Sequence, residues 1–287
     1  MANNHGYGGV NAPIVIFFGQ SAGGKTTALV RLIRYLQTQR YKFELSETFH
    51  NTYYGHLKEF SIKDIESEVT TQVNVASYDY IAGSKERALI NICNCKNDCV
   101  CRFLEVPGED FINLHEASKI GVGNQNTQYD YLKDVTDCEY KKIWVFFFDA
   151  DFATNEELKK SMLGYIAAIQ KIKIGPNDKI IVLLNKIDKI TKGDSKNPIQ
   201  ESEYAEFINA NFDSILLEEP FATKRWSCFG LMEPYKSHYE LVGYSSFHME
   251  QSNSFRTEVT WIPKESHEIY PQKLWKTIMR AIDNRYE

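Results

Sequence analysis

The sequence predicts an α/β fold with a mostly parallel central sheet and helices on both faces. Three observations carry that prediction. Ile14-Val15-Ile16-Phe17-Phe18, Ile143-Trp144-Val145-Phe146-Phe147-Phe148 and Ile180-Ile181-Val182-Leu183-Leu184 are continuous apolar runs with the length and composition of strands covered on both faces. Segments with apolar residues at helical spacing lie between them, and strands alternating with such helices build a parallel sheet. Between the first run and the first helix stands Gly19-Gln20-Ser21-Ala22-Gly23-Gly24-Lys25-Thr26, which matches the phosphate-loop pattern G-x-x-x-x-G-K-[ST].

The elements follow in order. After the strand at 14–18, Leu29, Leu32, Ile33 and Leu36 mark a helix over 27–39. Residues 40–68 have weak periodicity, with an acidic helical piece near 61–68, and read as an insertion. From Thr71 the pattern alternates through Val73, Val75 and Tyr78. Extended blocks at 88–95 and 99–106, separated by Lys96-Asn97-Asp98, predict a hairpin. The strand at 143–148 leads to a helix over 156–173, striped by Leu158, Met162, Tyr165, Ile166 and Ile169. The strand at 180–184 is followed by a helix around 203–217, a strand around 239–244 and a terminal helix over 271–285 that opens on Pro271, a good first-turn residue. Residues 218–238 and 247–263 fit no simple unit, although 255–262 reads as an extra edge strand. The organisation expected is a flexible arm over 1–12 and one domain over 13–287, with insertions near 40–68 and 218–263.

The chain has 287 residues, 43% hydrophobic and 13% aromatic, enough to fill a core, which argues against global disorder. A net charge of −5 argues against a general nucleic-acid-binding surface. No apolar stretch approaches the about 20 residues that span a bilayer, and neither end carries a secretory or lipidation pattern. The expectation is a cytoplasmic protein without a membrane anchor, its six cysteines reduced.

The phosphate loop has a direct chemical reading. Its glycines let the backbone wrap a phosphate chain, and the amides of residues 19–24, with the helix N-terminus and Thr27, supply donors and positive dipole. Lys25 reaches the outer phosphates, and the Thr26 hydroxyl is offered to Mg²⁺. A base-reading element must then distinguish ATP from GTP.

Asn185-Lys186-Ile187-Asp188, directly after the strand at 180–184, fits N-K-x-D. A carboxylate such as Asp188 accepts from both guanine N1–H and the exocyclic amine, a donor pair that adenine lacks. With the phosphate loop, this motif resembles the guanine-recognition signature of Ras-like and translational GTPases, and the resemblance covers about residues 14–247 and the terminal helix. It implies a phosphate-loop (P-loop) NTPase fold of Ras-like topology, with GTP or GDP and Mg²⁺ as ligands. Asn185 would brace the loop and contact the base, and the Lys186 stem would cover its face.

Three further elements are more degenerate. Glu105-Val106-Pro107-Gly108 resembles the family's D-x-x-G, whose acid holds Mg²⁺ and whose glycine amide senses the γ-phosphate. Here the acid is Glu105, and Glu109 stands where Ras-like members have the glutamine that orients water, which puts efficient hydrolysis in doubt. In Val69-Thr70-Thr71-Gln72-Val73, Thr70 is the first choice and Thr71 the second for the switch threonine that meets Mg²⁺ and the γ-phosphate. Tyr244-Ser245-Ser246-Phe247 occupies the place of the S-A-K base loop but lacks its lysine, so only Ser245 and Ser246 carry over. The expected activity is slow GTP hydrolysis in a nucleotide-dependent switch, with Lys25, Thr70 and Glu109 at the chemistry and an unidentified protein effector or activator. A non-hydrolysing GTP-binding scaffold and an ATP-using protein remain open.

Cys93, Cys95, Cys99 and Cys101 flank the predicted hairpin turn. Residues two apart on a strand share a face, so four thiolates could hold Zn²⁺. Small apolar packing and a reversible redox pair are the alternatives.

Overall fold

The computed structural model describes residues 12–20, 23–45, 89–105, 139–151, 162, 165–170, 172–190, 198–223, 236–252 and 260–283. Its centre is a seven-stranded sheet in the order β2-β3-β4-β1-β5-β6-β9. These strands are β1 (Ile14–Phe18), β2 (Lys42–Leu45), β3 (Leu89–Cys93), β4 (Cys99–Glu105), β5 (Lys142–Asp149), β6 (Lys179–Asn185) and β9 (Tyr239–Gly243). From β4 to β9 all neighbours run parallel, while β2 and β3 add an antiparallel edge. Helix α1 (Lys25–Thr38) follows β1, α2 (Glu201–Leu216) lies between β6 and β9, and α3 (Ile269–Asp283) comes last. The short strands β7 (Ala222–Thr223) and β8 (Lys236–Ser237) pair with each other, as do β10 (Phe247–Ser252) and β11 (Thr260–Glu265).

The apolar runs become this sheet because nothing else could bury them. Every residue of β1 and of β5 is buried, so both faces of these strands must be covered. Consecutive residues of a strand point to opposite faces, and β1 shows it. Phe17 meets Phe103 edge-on at 5.2 Å, and Phe103 in turn meets Trp275 of α3. Phe18 stacks on Tyr165 at 5.7 Å, within the helical residues 165–170. Phe148 of β5 packs edge-on against both Tyr165 and Phe212 of α2. Helices therefore cover both faces, as the sequence predicts, and α1 lies beside α3.

Two segments depart from expectation. Lys42–Leu45, inside the stretch read as an insertion, pairs with β3 and extends the sheet by one strand. The extra strand expected over 255–262 is instead β11, which pairs with β10 in a hairpin of its own and does not edge the central sheet. The alternating stretch at 71–78 lies outside the described residues.

Parallel strands put all their carboxyl ends on one edge, which is where open α/β sheets bind ligands. Here that edge gathers described residues from the segments after β1, β5, β6 and β9: 19–20 and 23–24, 150–151, 186–188 and 244–246. Among the described residues no helix is long and apolar enough to cross a membrane.

Candidate nucleotide-binding site

The loop after β1 is held by close backbone packing. A Cβ on Gly19 would stand 2.6 Å from Phe147 Cβ, so only glycine lets β1 end this close to β5. Within the loop the Gln20 carbonyl accepts from the Gly23 amide at 3.2 Å and from Lys25 Nζ at 2.7 Å. Lys25 is buried at 5% exposure, an expensive place for an ammonium without anionic or carbonyl oxygen around it. Gly24, at φ 77°, caps α1 in the left-handed region without a side-chain acceptor, and the first turn contains no acidic residue. A helix start carries the positive end of the helix dipole. Thr26 and Thr27 occupy the same turn, both half-buried. Ser21 and Ala22 lie outside the described residues.

Asn185, the last residue of β6, reaches the phosphate loop directly. Its Nδ2 donates to the Gly23 carbonyl at 2.8 Å, and the same nitrogen stands 2.4 Å from where a Cβ on Gly24 would sit. Among the described residues Asn185 Oδ1 has no hydrogen-bond partner although it is buried. Lys186 follows in the left-handed conformation at φ 58°. Its ammonium pairs with Asp149 at 2.6 Å and with Asp151 at 3.5 Å. Burial by itself would pull the Lys186 value down, but the two carboxylates outweigh it and hold the ammonium above its ordinary value. Burial pushes the Asp149 carboxyl up, and the Lys186 charge offsets part of that.

The loop after β9 closes the arrangement. The Tyr244 amide donates to Leu184 O at 2.8 Å, and the Ile187 amide donates to Tyr244 O at 3.2 Å. Ser245 Oγ donates to Asp188 Oδ1 at 2.7 Å, fixing that carboxylate against the loop. Ser246 is buried, and among the described residues its hydroxyl has no partner. Gly19, Gln20, Gly23, Gly24, Lys25, Thr26, Thr27, Asn185, Lys186, Asp188, Ser245 and Ser246 are thus brought to one edge of the sheet. Glu105 closes β4 opposite Phe17 of β1, next to the start of the phosphate loop. Thr70, Thr71, Gly108 and Glu109 lie outside the described residues.

Sequence reasoning missed Asp149, Asp151 and Ser266. Asp149 and Asp151 flank the end of an all-apolar strand, in Phe148-Asp149-Ala150-Asp151. That pattern marks a strand mouth with acceptors, the available signal for a partner of Lys186. Ser266 has no local signal, because its role depends on a hairpin closing.

The four thiols, for which a metal site, apolar packing and a redox pair stood as alternatives, do not gather into a metal site among the described residues. Among the described residues no three His, Cys, Asp or Glu side chains converge to hold a metal. The register explains why: Ile92 pairs with Cys101 and Cys93 with Cys99, with an irregularity between them, so the ribbon does not oppose its cysteines in two level pairs. Cys95 is exposed in the turn while Cys93 and Cys101 are buried. Burial, then the nearby Cys99 and Cys93 thiols, push the Cys101 thiol well up, as for a thiol packed among apolar side chains. These observations favour the packing alternative.

No protein-family model matches the sequence, and no curated protein does. Solved structures to which the chain is similar include the S. cerevisiae Ski7 GTPase-like domain bound to GTP, at 14% identity and a TM-score of 0.46, covering 96% of this chain and 51% of that one. The same domain bound to GDP and inorganic phosphate matches at 13% identity and 0.47. Methanosarcina barkeri Roco2 bound to GDP matches at 14% identity and 0.26, covering 71% of this chain and 41% of that one. The chain spans about half the length (51%) of the Ski7 chains it matches.

Proposed function

We propose that this chain binds GTP and GDP at the carboxyl edge of its sheet, together with Mg²⁺, and hydrolyses GTP slowly as a nucleotide-dependent switch. The observation that carries the reading is the Asn185 bridge. One side chain ties the phosphate loop, through the 2.8 Å bond to Gly23 O, to the N-K-x-D segment that contains Asp188. A phosphate loop and a carboxylate held in this relation suit the two ends of one guanine nucleotide. Asn185 Oδ1 and Ser246 Oγ, buried and without a partner among the described residues, support a polar base ligand beside them, since such atoms are costly unless something satisfies them.

In this reading Lys25 and the loop amides hold the β and γ phosphates, and Asp188, oriented by Ser245, accepts from the guanine N1–H and amine. Lys186, kept charged and extended by Asp149 and Asp151, lays its stem along the base. The donor set suits Mg²⁺, because the Thr26 hydroxyl and the Glu105 carboxylate are hard oxygen donors at neighbouring segment ends. Bound with the triphosphate, Mg²⁺ would neutralise charge developing on the phosphate oxygens. Thr70 and Gly108 are proposed to contact the γ-phosphate. Glu109, a carboxylate in place of a neutral amide, repels that phosphate, and this sets hydrolysis low.

Calorimetric titration with GTP, GDP and ATP in Mg²⁺, with phosphate release followed in the same samples, tests the proposal. Guanine-selective binding with multiple turnover is the expected result. Selective binding without turnover would leave a scaffold, and preference for ATP would overturn the reading of Asp188.

A further inference from the structure

The base loop does not run into the terminal helix. It leads from Ser246 straight into β10, and the chain returns through β11 to Ser266 before α3 begins. The hairpin register pairs Phe247 with Glu265, and one step further it pairs Ser246 with Ser266. That pair is made: the Ser266 amide donates to Ser246 O at 3.2 Å. The Ser266 hydroxyl also donates to the Ser245 carbonyl. A single residue from the far end of the hairpin thus occupies the carbonyls of both Ser245 and Ser246.

Ser266 is itself anchored. Its carbonyl accepts from Arg31 Nη2 at 3.0 Å, and Arg31 belongs to α1, the helix that starts at Lys25. Both residues are buried, Ser266 at 6% and Arg31 at 7% exposure. A guanidinium is costly to bury, and here one of its donors is spent on a loop carbonyl. Tyr244 makes a parallel tie, donating from its hydroxyl to Ala28 O of the same helix at 3.2 Å. From Ser245 the chain of bonds continues to Asp188 Oδ1. A continuous path therefore runs from α1 through Arg31, Ser266 and Ser245 to the carboxylate proposed to read the base.

We propose that Ser266, anchored by Arg31, is a positioning residue for guanine selectivity: it fixes the Ser245–Ser246 peptide, and through Ser245 the angle of the Asp188 carboxylate, relative to the phosphate loop. The inference rests on the guanine-nucleotide reading. Without the Ser266 hydroxyl the Ser245 carbonyl loses a buried donor and the loop moves, so the carboxylate no longer meets both guanine donors together. The phosphate contacts, common to GTP and ATP, do not depend on this path.

The test is calorimetric titration of the full chain, Ser266→Ala, Ser266→Thr and Arg31→Lys with GTP and ATP, with a thermal melt of each. The ratio of ATP to GTP dissociation constants falls about tenfold in Ser266→Ala, the size of one buried hydrogen bond. It returns toward the starting ratio in Ser266→Thr, which keeps the hydroxyl, and falls in Arg31→Lys. A lowered melting temperature with an unchanged ratio would make Ser266 merely structural and would overturn the proposal, as would a threonine variant as unselective as alanine. If Ser266→Ala does not fold, an unchanged ratio in Arg31→Lys overturns it. An unsubstituted chain that binds GTP and ATP alike would sink the guanine reading itself, whereas a selective chain with an equally selective Ser266→Ala would sink this inference alone.

Discussion

Gly24→Ala is the substitution whose cost can be worked most closely from the structure. Gly24 sits at φ 77°, where a residue with a Cβ loses about 1–2 kcal/mol. The new Cβ would also stand 2.4 Å from Asn185 Nδ2, well inside the 3.4 Å at which ordinary contact begins. The amide must withdraw by about the difference, and its 2.8 Å bond to Gly23 O breaks. Leaving that buried donor unmade costs about 1–3 kcal/mol. The sum, about 2–5 kcal/mol, corresponds to a fall of about 3–8 °C in melting temperature for a chain of this size. Scanning calorimetry on Gly24→Ala, Asn185→Ala and the double variant separates the two contributions. With Asn185 truncated there is nothing to collide with, so the alanine costs only its backbone term, and the cycle gives a coupling of about 1–3 kcal/mol. Equal costs of Gly24→Ala in both backgrounds would refute the contact argument, and an unshifted melt would refute the backbone argument as well.

Two further outcomes follow from the charges. Asp149→Asn removes the nearer carboxylate from Lys186 and should cost about 2–4 kcal/mol in urea unfolding, less than for a fully isolated pair because Asp151 remains at 3.5 Å; an unchanged midpoint would mean that the pair contributes nothing. Alkaline pH should destabilise the fold. Burial and then Glu201 push Tyr204 from 10.0 to about 12, burial pushes Tyr244 up, and Lys186 is held above its ordinary value. A value raised on folding contributes stability that is whole below the unfolded value and is lost as pH rises through the folded one. The urea midpoint should therefore hold to about pH 9 and fall above about pH 10; a flat profile to pH 11 would contradict these shifts.

The parts of the fold that were legible are those where one physical demand dominates. β1, β5 and β6 announce themselves because an all-apolar run of strand length has to be covered on both faces. Their observed ends lie within about two residues of the expectation, a normal uncertainty for element boundaries. β2 was hidden because Lys42-Phe43-Glu44-Leu45 is short and half polar, as an edge strand is free to be. β10 was hidden for a similar reason, since among the described residues Phe247-His248-Met249-Glu250-Gln251-Ser252 pairs with β11 alone. At the site, the glycines, Lys25 and the Asn185 to Asp188 segment were legible from local chemistry. Asp149 and Ser266 were not, because their partners lie 37 residues along the chain at Lys186 and 235 at Arg31. For the cysteines the sequence left metal, packing and a redox pair open, because the register that breaks their level pairing is invisible in it.

The central claim is that Asp188 reads guanine, and Asp188→Asn tests it most directly. An amide at this position replaces one acceptor with a donor, so it mismatches the guanine amine and matches xanthine, which has a carbonyl there. Calorimetric titration of the variant should show GTP affinity reduced about a hundredfold or more, on the scale of a buried polar group left unpaired, with xanthosine triphosphate now bound more tightly than GTP. Unchanged GTP affinity, or no gain for the xanthine nucleotide while the melt stays normal, would contradict the account.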